Sequence, residues 1–132
     1  MRKQILDATS KVLDEIVAIR HQLHQMPESA FEEQLTSALI AEKLKALGLP
    51  VTTGLAQTGL MATIQGTSPG NVIALRSDMD ALPIQETTAK PHASKKHGCA
   101  HSCGHDGHIA CLLGAAHVLT KLRDQLSGAD PR

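Results

Sequence analysis

Residues 71–83 read N-V-I-A-L-R-S-D-M-D-A-L-P, an apolar run followed, after R-S, by two aspartates. A short, continuous apolar run bounded by turn residues is typical of a strand that is buried on both faces. We therefore predict a buried strand from Val72 to Leu75. Functional groups of α/β proteins gather just beyond the carboxyl ends of such strands, which makes Asp78 and Asp80 candidate site residues. The alternative is that both aspartates are turn residues with Arg76 as their salt-bridge partner.

Two helical patterns precede this segment. Apolar residues recur at three- and four-residue steps over residues 5–23, which predicts an amphipathic helix that ends near Pro27. Ser29 and Glu32 have the spacing of a capping box ahead of a second apolar repeat, over residues 35–47. We therefore predict two helices joined by a short connection.

The remaining pattern consists of short strands, one long loop and a third helix. Gly and Pro separate strand-like runs at residues 51–53 and 60–66. The irregular segment at residues 78–105 is longer than most connections, unless it serves function. A helix that is apolar on nearly all sides is predicted over residues 109–122, with Asp106 as its cap. Together these patterns predict an α/β fold in which helices pack on a mixed sheet.

Composition limits the classes of partner. Thirteen lysines and arginines balance thirteen aspartates and glutamates, and Phe31 is the one aromatic residue. The chain therefore offers neither a basic surface for phosphates nor rings for stacking on bases, which argues against nucleic acid. Charged residues interrupt the apolar clusters of the first helix, so we expect no signal sequence, no membrane span and a cytoplasmic location.

The long loop carries a high density of possible metal ligands. Three cysteines in a chain without a secretory signal are expected to be thiols or ligands rather than disulfides. Thiolates and neutral imidazoles suit zinc, and also nickel, cobalt or manganese when carboxylates complete the set. We predict a divalent-metal site in the cluster formed by His97, Cys99, His101, Cys103, His105 and His108.

Two members of the cluster are the strongest candidates for ligands. Cys103 and His105 flank one glycine just before the third helix, so both side chains can face one point, and the helix N-terminus favours the thiolate. Asp80 is our candidate for orienting a ligand histidine. The alternative is an exposed histidine-rich loop with incidental thiols. From spacing alone, His21 and His24 are predicted to be structural, because histidine interacts well with the last turn of a helix.

Three stretches, in order, resemble one enzyme family. Residues 20–33, R-H-Q-L-H-Q-M-P-E-S-A-F-E-E, resemble the opening motif R-x-x-x-H-x-x-P-E-x-x-F-x-E. Residues 73–86, I-A-L-R-S-D-M-D-A-L-P-I-Q-E, resemble L-R-A-D-M-D-A-L-P-I-x-E, and residues 101–108, H-S-C-G-H-D-G-H, resemble M-H-A-C-G-H-D-x-H. These motifs are those of the M20 metallopeptidase family, in the branch of aminoacylases, hippurate hydrolases and plant auxin-conjugate hydrolases.

The resemblance implies a zinc-peptidase-like catalytic domain of which residues 1–132 are the N-terminal part, without the C-terminal part or the dimerisation domain. It implies that Cys103 and His105 are ligands of a two-metal centre that Asp80 supports. The reaction implied is metal-dependent hydrolysis of the amide bond of small N-acyl amino acids. The general-base glutamate, its neighbouring ligand glutamate and two later ligand histidines would follow residue 132. We therefore expect weak metal binding, no useful hydrolysis by this chain alone, and self-association through uncovered apolar surface.

Two alternatives remain open at this point. The chain could be one half of a split enzyme whose second chain supplies the remaining ligands. It could instead be a small metal-binding or redox module that uses Cys99 and Cys103 with neighbouring histidines. Tight, stoichiometric zinc in the isolated chain would favour the module.

Overall fold

The computed structural model describes residues 1–129, which form three long helices and four short strands. The helices are α1 (Arg2–Gln25), α2 (Gln34–Ala46) and α3 (His105–Lys121), and a 3-10 helix spans Arg123–Gln125. The strands are β1 (Val51–Leu55), β2 (Gly59–Ala62), β3 (Ser68–Pro69) and β4 (Ser127–Ala129). Over residues 1–129, no helix is long and apolar enough to cross a membrane.

The core lies where α1 packs against α3, with α2 beside them. Leu23 of α1 and Ile109 of α3 are among the most deeply buried side chains. Full burial of one such side chain contributes about 1.5–3 kcal/mol. The predicted apolar repeat of the first helix is confirmed from Ala8 to Leu23, because Ala8, Val12, Ile19 and Leu23 are buried, whereas Ile5 at its start is exposed.

The start of α2 is capped by a residue that the sequence pattern did not indicate. Its N-cap position makes no side-chain cap hydrogen bond, so the predicted capping box of Ser29 and Glu32 is wrong. The carboxylate of Glu28 accepts the backbone N–H groups of Leu35 at 3.1 Å and Thr36 at 2.7 Å instead. A longer side chain placed earlier in the connection reaches the same free amides of the first turn.

The β-hairpin is attached to this end of α2. Strands β1 and β2 pair antiparallel, and Ala56 and Gln57 in the turn both have positive φ, of 47° and 80°. Positive φ at successive turn residues suits the right-handed twist of a tight hairpin. Just after them, the Thr58 hydroxyl donates to the Glu33 carboxylate at 2.7 Å.

The predicted buried strand at residues 72–75 is wrong for this structure. The segment forms no strand, and Val72 and Ile73 are 82% and 83% exposed. A strand of this apolar type needs neighbours at its edges and cover on both faces, and within residues 1–129 no strand pairs with it. The predicted α/β class is confirmed, but the described strands form two separate sheets, antiparallel β1–β2 and parallel β3–β4.

We predict that Glu28→Ala lowers the free energy of unfolding by about 2 kcal/mol, because two backbone N–H groups lose a charged acceptor. Urea denaturation followed by circular dichroism measures the change. Glu42→Ala removes an exposed carboxylate of α2 that contacts the adjacent Lys43, and it should change stability by less than about 0.5 kcal/mol. Equal effects of the two substitutions would contradict the capping role.

Candidate metal centre

The loop that precedes α3 is irregular, as predicted, but backbone hydrogen bonds fix it at several points. Leu82 and Ala100 form an antiparallel bridge in which each N–H donates to the other's carbonyl at 3.0 Å. The N–H of Ala81 donates to the carbonyl of Glu28 at 2.7 Å, and that of Lys95 to the last residue of α1 at 3.0 Å. The bridge brings the two ends of the loop together beside the end of α1.

Asp80 and His105 meet at this bridge. Nδ1 of His105 lies 2.9 Å from the backbone oxygen of Asp80 and 3.1 Å from its carboxylate Oδ1. A carbonyl oxygen only accepts hydrogen bonds, so Nδ1 carries a proton, and in the neutral ring Nε2 then presents a lone pair. A metal-ligating histidine typically has this arrangement, with its second nitrogen held by a carboxylate or a carbonyl.

Cys103 contacts the same carbonyl group. Its Sγ lies 3.9 Å from the backbone oxygen of Asp80, and the residue is exposed. Gly104, between the two candidate ligands, is the N-cap of α3 and has a φ of 86°, a left-handed conformation that glycine adopts without strain. The structure thus brings together the three predicted site residues, Asp80, Cys103 and His105.

The other members of the predicted cluster do not complete a metal site. Cys99 is buried, whereas His97 and His108 are exposed. Asp78 forms an exposed ion pair with Arg76, the alternative considered for it. Over residues 1–129, no three histidine, cysteine or carboxylate side chains converge in metal-binding geometry. A thiol and an imidazole with a free Nε2 fit a borderline divalent ion, but as two ligands of a set that normally has at least three.

A second polar cluster lies next to the candidate ligands. Asp106 follows His105, and its fully buried Oδ2 accepts from His24 Nδ1 at 2.7 Å and from Arg20 Nε at 3.2 Å. Nε2 of His24 lies 3.3 Å from Oε1 of Glu86. Asp106 is therefore not the predicted cap of α3 but a buried partner of α1, and one histidine ring connects α1, α3 and the loop.

The environment favours the ionised form of both carboxyl groups. Burial alone would raise the pKa of Asp106, but the hydrogen bond from His24 and the charge of Arg20 outweigh it and hold the pKa below its ordinary value. Hydrogen bonds lower the pKa of Glu86 from 4.5 to about 2, first from the Thr88 hydroxyl and then from a backbone N–H of the loop.

A polar pocket of about 280 Å³ lies beside this cluster. His24, Glu86, Thr88, Lys90 and His101 contribute to its wall. Burial lowers the pKa of His101, so its neutral ring is favoured, and neither ring nitrogen has a hydrogen-bond partner among residues 1–129. The volume is near the lower end of the range for small-molecule sites, roughly 300–1,000 Å³.

Spacing in the sequence predicted only a structural role for His24, but the structure places this residue in the cluster beside the candidate ligands. Arg20 and His24 are four residues apart, so they share one face of α1, and this spacing could have predicted a common anionic partner. His21 lies outside the Asp106 cluster, and its ring stacks on His92 with centroids 3.9 Å apart. Glu86 ends the second quoted motif, but no local pattern predicts its contact with His24, which lies 62 residues earlier in the chain.

Comparison with known proteins identifies similar sequences in one peptidase family. Residues 74–129 match the sequence profile described as Peptidase family M20/M25/M40. The chain is 41% identical to the N-acyl-L-amino acid amidohydrolase of Geobacillus stearothermophilus, over 96% of this chain and 34% of that protein. It is 42% identical to thermostable carboxypeptidase 2 of Saccharolobus solfataricus, over 96% of this chain and 32% of that protein.

A solved structure shares the fold. The chain superposes on a dinuclear metal-binding peptidase of the M20 family from Bacillus subtilis with a TM-score of 0.84 and 40% identity, over 87% of this chain and 33% of that one. The chain thus spans about a third of the length of the relatives it matches. Over this part, the chain has the fold of that peptidase. These matches are all to M20-type peptidases and amidohydrolases, the group that the sequence resemblance predicted.

We predict that Glu86→Gln flattens the acid limb of the stability profile. A carboxyl group whose folded pKa lies below its unfolded value stabilises the fold above the unfolded value, and this contribution is lost as the pH falls through the folded pKa. For Glu86 that window runs from 4.5 down to about 2.

Urea denaturation of the chain and of Glu86→Gln, at several pH values in that window, measures the effect. The difference between their unfolding free energies should shrink as the pH falls. Glu42→Gln, at an exposed carboxylate of α2, is the matched control. A constant difference for Glu86→Gln across the window would contradict the assignment.

Proposed function

We propose that this protein is a metal-dependent amidohydrolase that releases amino acids from N-acyl amino acids. The observation that carries the proposal is the contact of Asp80 with both Cys103 and His105 at the start of α3, within the segment that matches the M20 family profile. The similar Geobacillus protein is named for this reaction, and the similar Saccharolobus protein is named a carboxypeptidase. Both names describe hydrolysis of an amide bond.

The three residues have separate roles in the proposed centre. The Cys103 thiolate and Nε2 of His105 would hold a divalent ion, and Asp80 keeps the proton on Nδ1 of that ring. Zinc, manganese, nickel and cobalt are all compatible with this donor pair once carboxylates are added. A bound ion supplies a Lewis acid that polarises an amide carbonyl and activates water. The dinuclear Bacillus structure supports two such ions in the proposed complete site.

The polar pocket supports a small substrate. His101 and Ser102 line it and directly precede Cys103 in the chain, so a molecule held there would lie beside the candidate ligands. Lys90 offers a donor to a carboxylate or a carbonyl, as an N-acyl amino acid requires.

We predict that Cys103→Ala abolishes the cobalt–thiolate absorption that Co²⁺ produces with the unmodified, reduced chain, because the thiolate is the sulfur ligand. Cys111→Ala is the matched control, since Cys111 is also an exposed thiol but lies within α3. Elemental analysis after purification without chelators should show less metal in Cys103→Ala than in the unmodified chain or in Cys111→Ala. Loss of the absorption in both variants, or in neither, would contradict the assignment.

We predict that the protein purified from its own source without chelators releases amino acids from N-acetyl and N-benzoyl amino acids. Chelation should stop the release and added Zn²⁺, Mn²⁺ or Co²⁺ should restore it, because the reaction depends on the ion. Dipeptides with a free amino group distinguish the two named activities of the relatives. Faster cleavage of these dipeptides than of the N-acyl compounds would replace the amidohydrolase proposal with a carboxypeptidase.

A further inference from the structure

The candidate ligands and the buried polar cluster meet at one peptide bond, between His105 and Asp106. We infer that Arg20 and His24 of α1 are positioning residues for the Cys103–His105 turn, and that they act through the carboxylate of Asp106. The inference rests on the proposed metal site and adds the helix that fixes the geometry of its ligands.

The carboxylate of Asp106 has little freedom to move. Its side chain is completely buried, and one oxygen, Oδ2, accepts from both His24 and Arg20. Hydrogen bonds between charged partners are roughly twice as strong as those between neutral groups. Any rotation of the first turn of α3 would therefore break two strong bonds and leave a buried charge without a partner, which is costly.

The ligand turn itself has little stiffness of its own. Gly104 separates the two ligands and has a left-handed conformation. As a glycine, it has no side chain that would restrict its backbone angles. The amides of Gly107 and His108 both donate to the Gly104 carbonyl, at 3.0 and 3.1 Å. The Gly104 N–H also donates to the His101 carbonyl, at 3.4 Å. Asp106 is the first buried side chain of α3, and it ties this turn to α1.

Asp80, the other residue of the candidate site, is held near the same end of α1. The Ala81 N–H donates to the carbonyl of Glu28 at 2.7 Å, three residues beyond the last residue of α1, and this bond places Asp80. Asp80 and His105 thus approach each other because each is held against the same helix end. The distance between them depends on how α1 is joined to Asp106.

The two ring nitrogens of His24 have different partners, so a positioning role can be distinguished from general structural support. Nδ1 bonds Asp106 next to the ligands, whereas Nε2 bonds Glu86 in the loop. Only the Nδ1 bond reaches the ligand turn directly. A positioning role therefore requires the Nδ1 bond, whereas a role in joining α1 to its surroundings would depend on both bonds.

Two substitutions each preserve one of these bonds. The amide nitrogen of asparagine can occupy the place of Nδ1, and that of glutamine the place of Nε2. His24→Asn should keep the bond to Asp106, and His24→Gln should keep the bond to Glu86. Titration of each reduced full chain with Co²⁺ alone, followed by the cobalt–thiolate absorption of Cys103, measures the affinity of the proposed site.

We expect His24→Gln to weaken Co²⁺ binding about tenfold or more, which is the usual effect of losing a group that supports a metal ligand. His24→Asn should stay within about threefold of the unmodified chain. Hydrogen exchange gives a readout without metal: the amides of Gly107 and His108 should exchange faster in His24→Gln than in His24→Asn, with α2 unchanged.

Equal Co²⁺ affinity and equal exchange in the two variants would overturn the inference while leaving the metal site intact. No cobalt–thiolate absorption in the unmodified chain would instead remove the proposed site, and the inference with it. If His24→Gln does not fold, Arg20→Ala at a half-exposed position removes the other donor to Asp106. It should shift Co²⁺ affinity and exchange in the same direction, and no shift would overturn the inference.

Discussion

The buried carboxylate of Asp106 is the constraint on which the candidate site depends. Burial of an unpaired carboxylate destabilises the fold by several kcal/mol, so Asp106 can be buried only where hydrogen-bond donors are in place beside it. The helical phase of α1 supplies them. Ile19 and Leu23 enter the core, and Arg20 and His24, each one position further along, lie at its edge facing Asp106. Apolar packing and polar pairing therefore select the same orientation of α1.

The cluster also links the loop to this arrangement. Asp106 lies between Arg20 and His24, and His24 lies between Asp106 and Glu86. A neutral imidazole can donate through only one of its nitrogens. Both contacts of His24 are full hydrogen bonds only when the ring carries two protons. Glu86 in turn accepts from the backbone of Ser94 at 2.6 Å, so the contacts of His24 connect the wall of the polar pocket with α3.

Periodicity and ligand spacing predicted the elements that depend on local sequence. The extents of α1 and α2 follow from apolar repeats, and Cys103 and His105 stand out by their spacing around one glycine. Asp80 lies at the candidate site as predicted, but not for the predicted reason. Residues 72–75 form no strand, and Asp80 reaches the ligands because the Leu82–Ala100 bridge closes the loop. Such a bridge joins residues eighteen apart and leaves no periodic signal in the sequence.

The errors share a physical cause. The capping box rests on residues close to the start of the helix, but the side chain of Glu28, longer than that of Ser29, reaches the first turn of α2 instead. His24 was assigned to the helix dipole, although a carboxylate at residue 106 is a stronger partner than partial charges on the last carbonyls. In each case a charged group from outside the local pattern outcompeted the weaker interaction that the pattern describes.

Asp80 shows how two functions can be divided within one residue. Its backbone carbonyl fixes the Nδ1 proton of His105, and this bond depends on the path of the main chain rather than on the side chain. Its carboxylate, 3.1 Å from the same nitrogen, adds negative charge that makes Nε2 more basic. The tautomer is therefore set by the fold, and the strength of the ligand is set by the side chain. An uncharged residue at this position would keep the ring correctly protonated and still make it a poorer ligand.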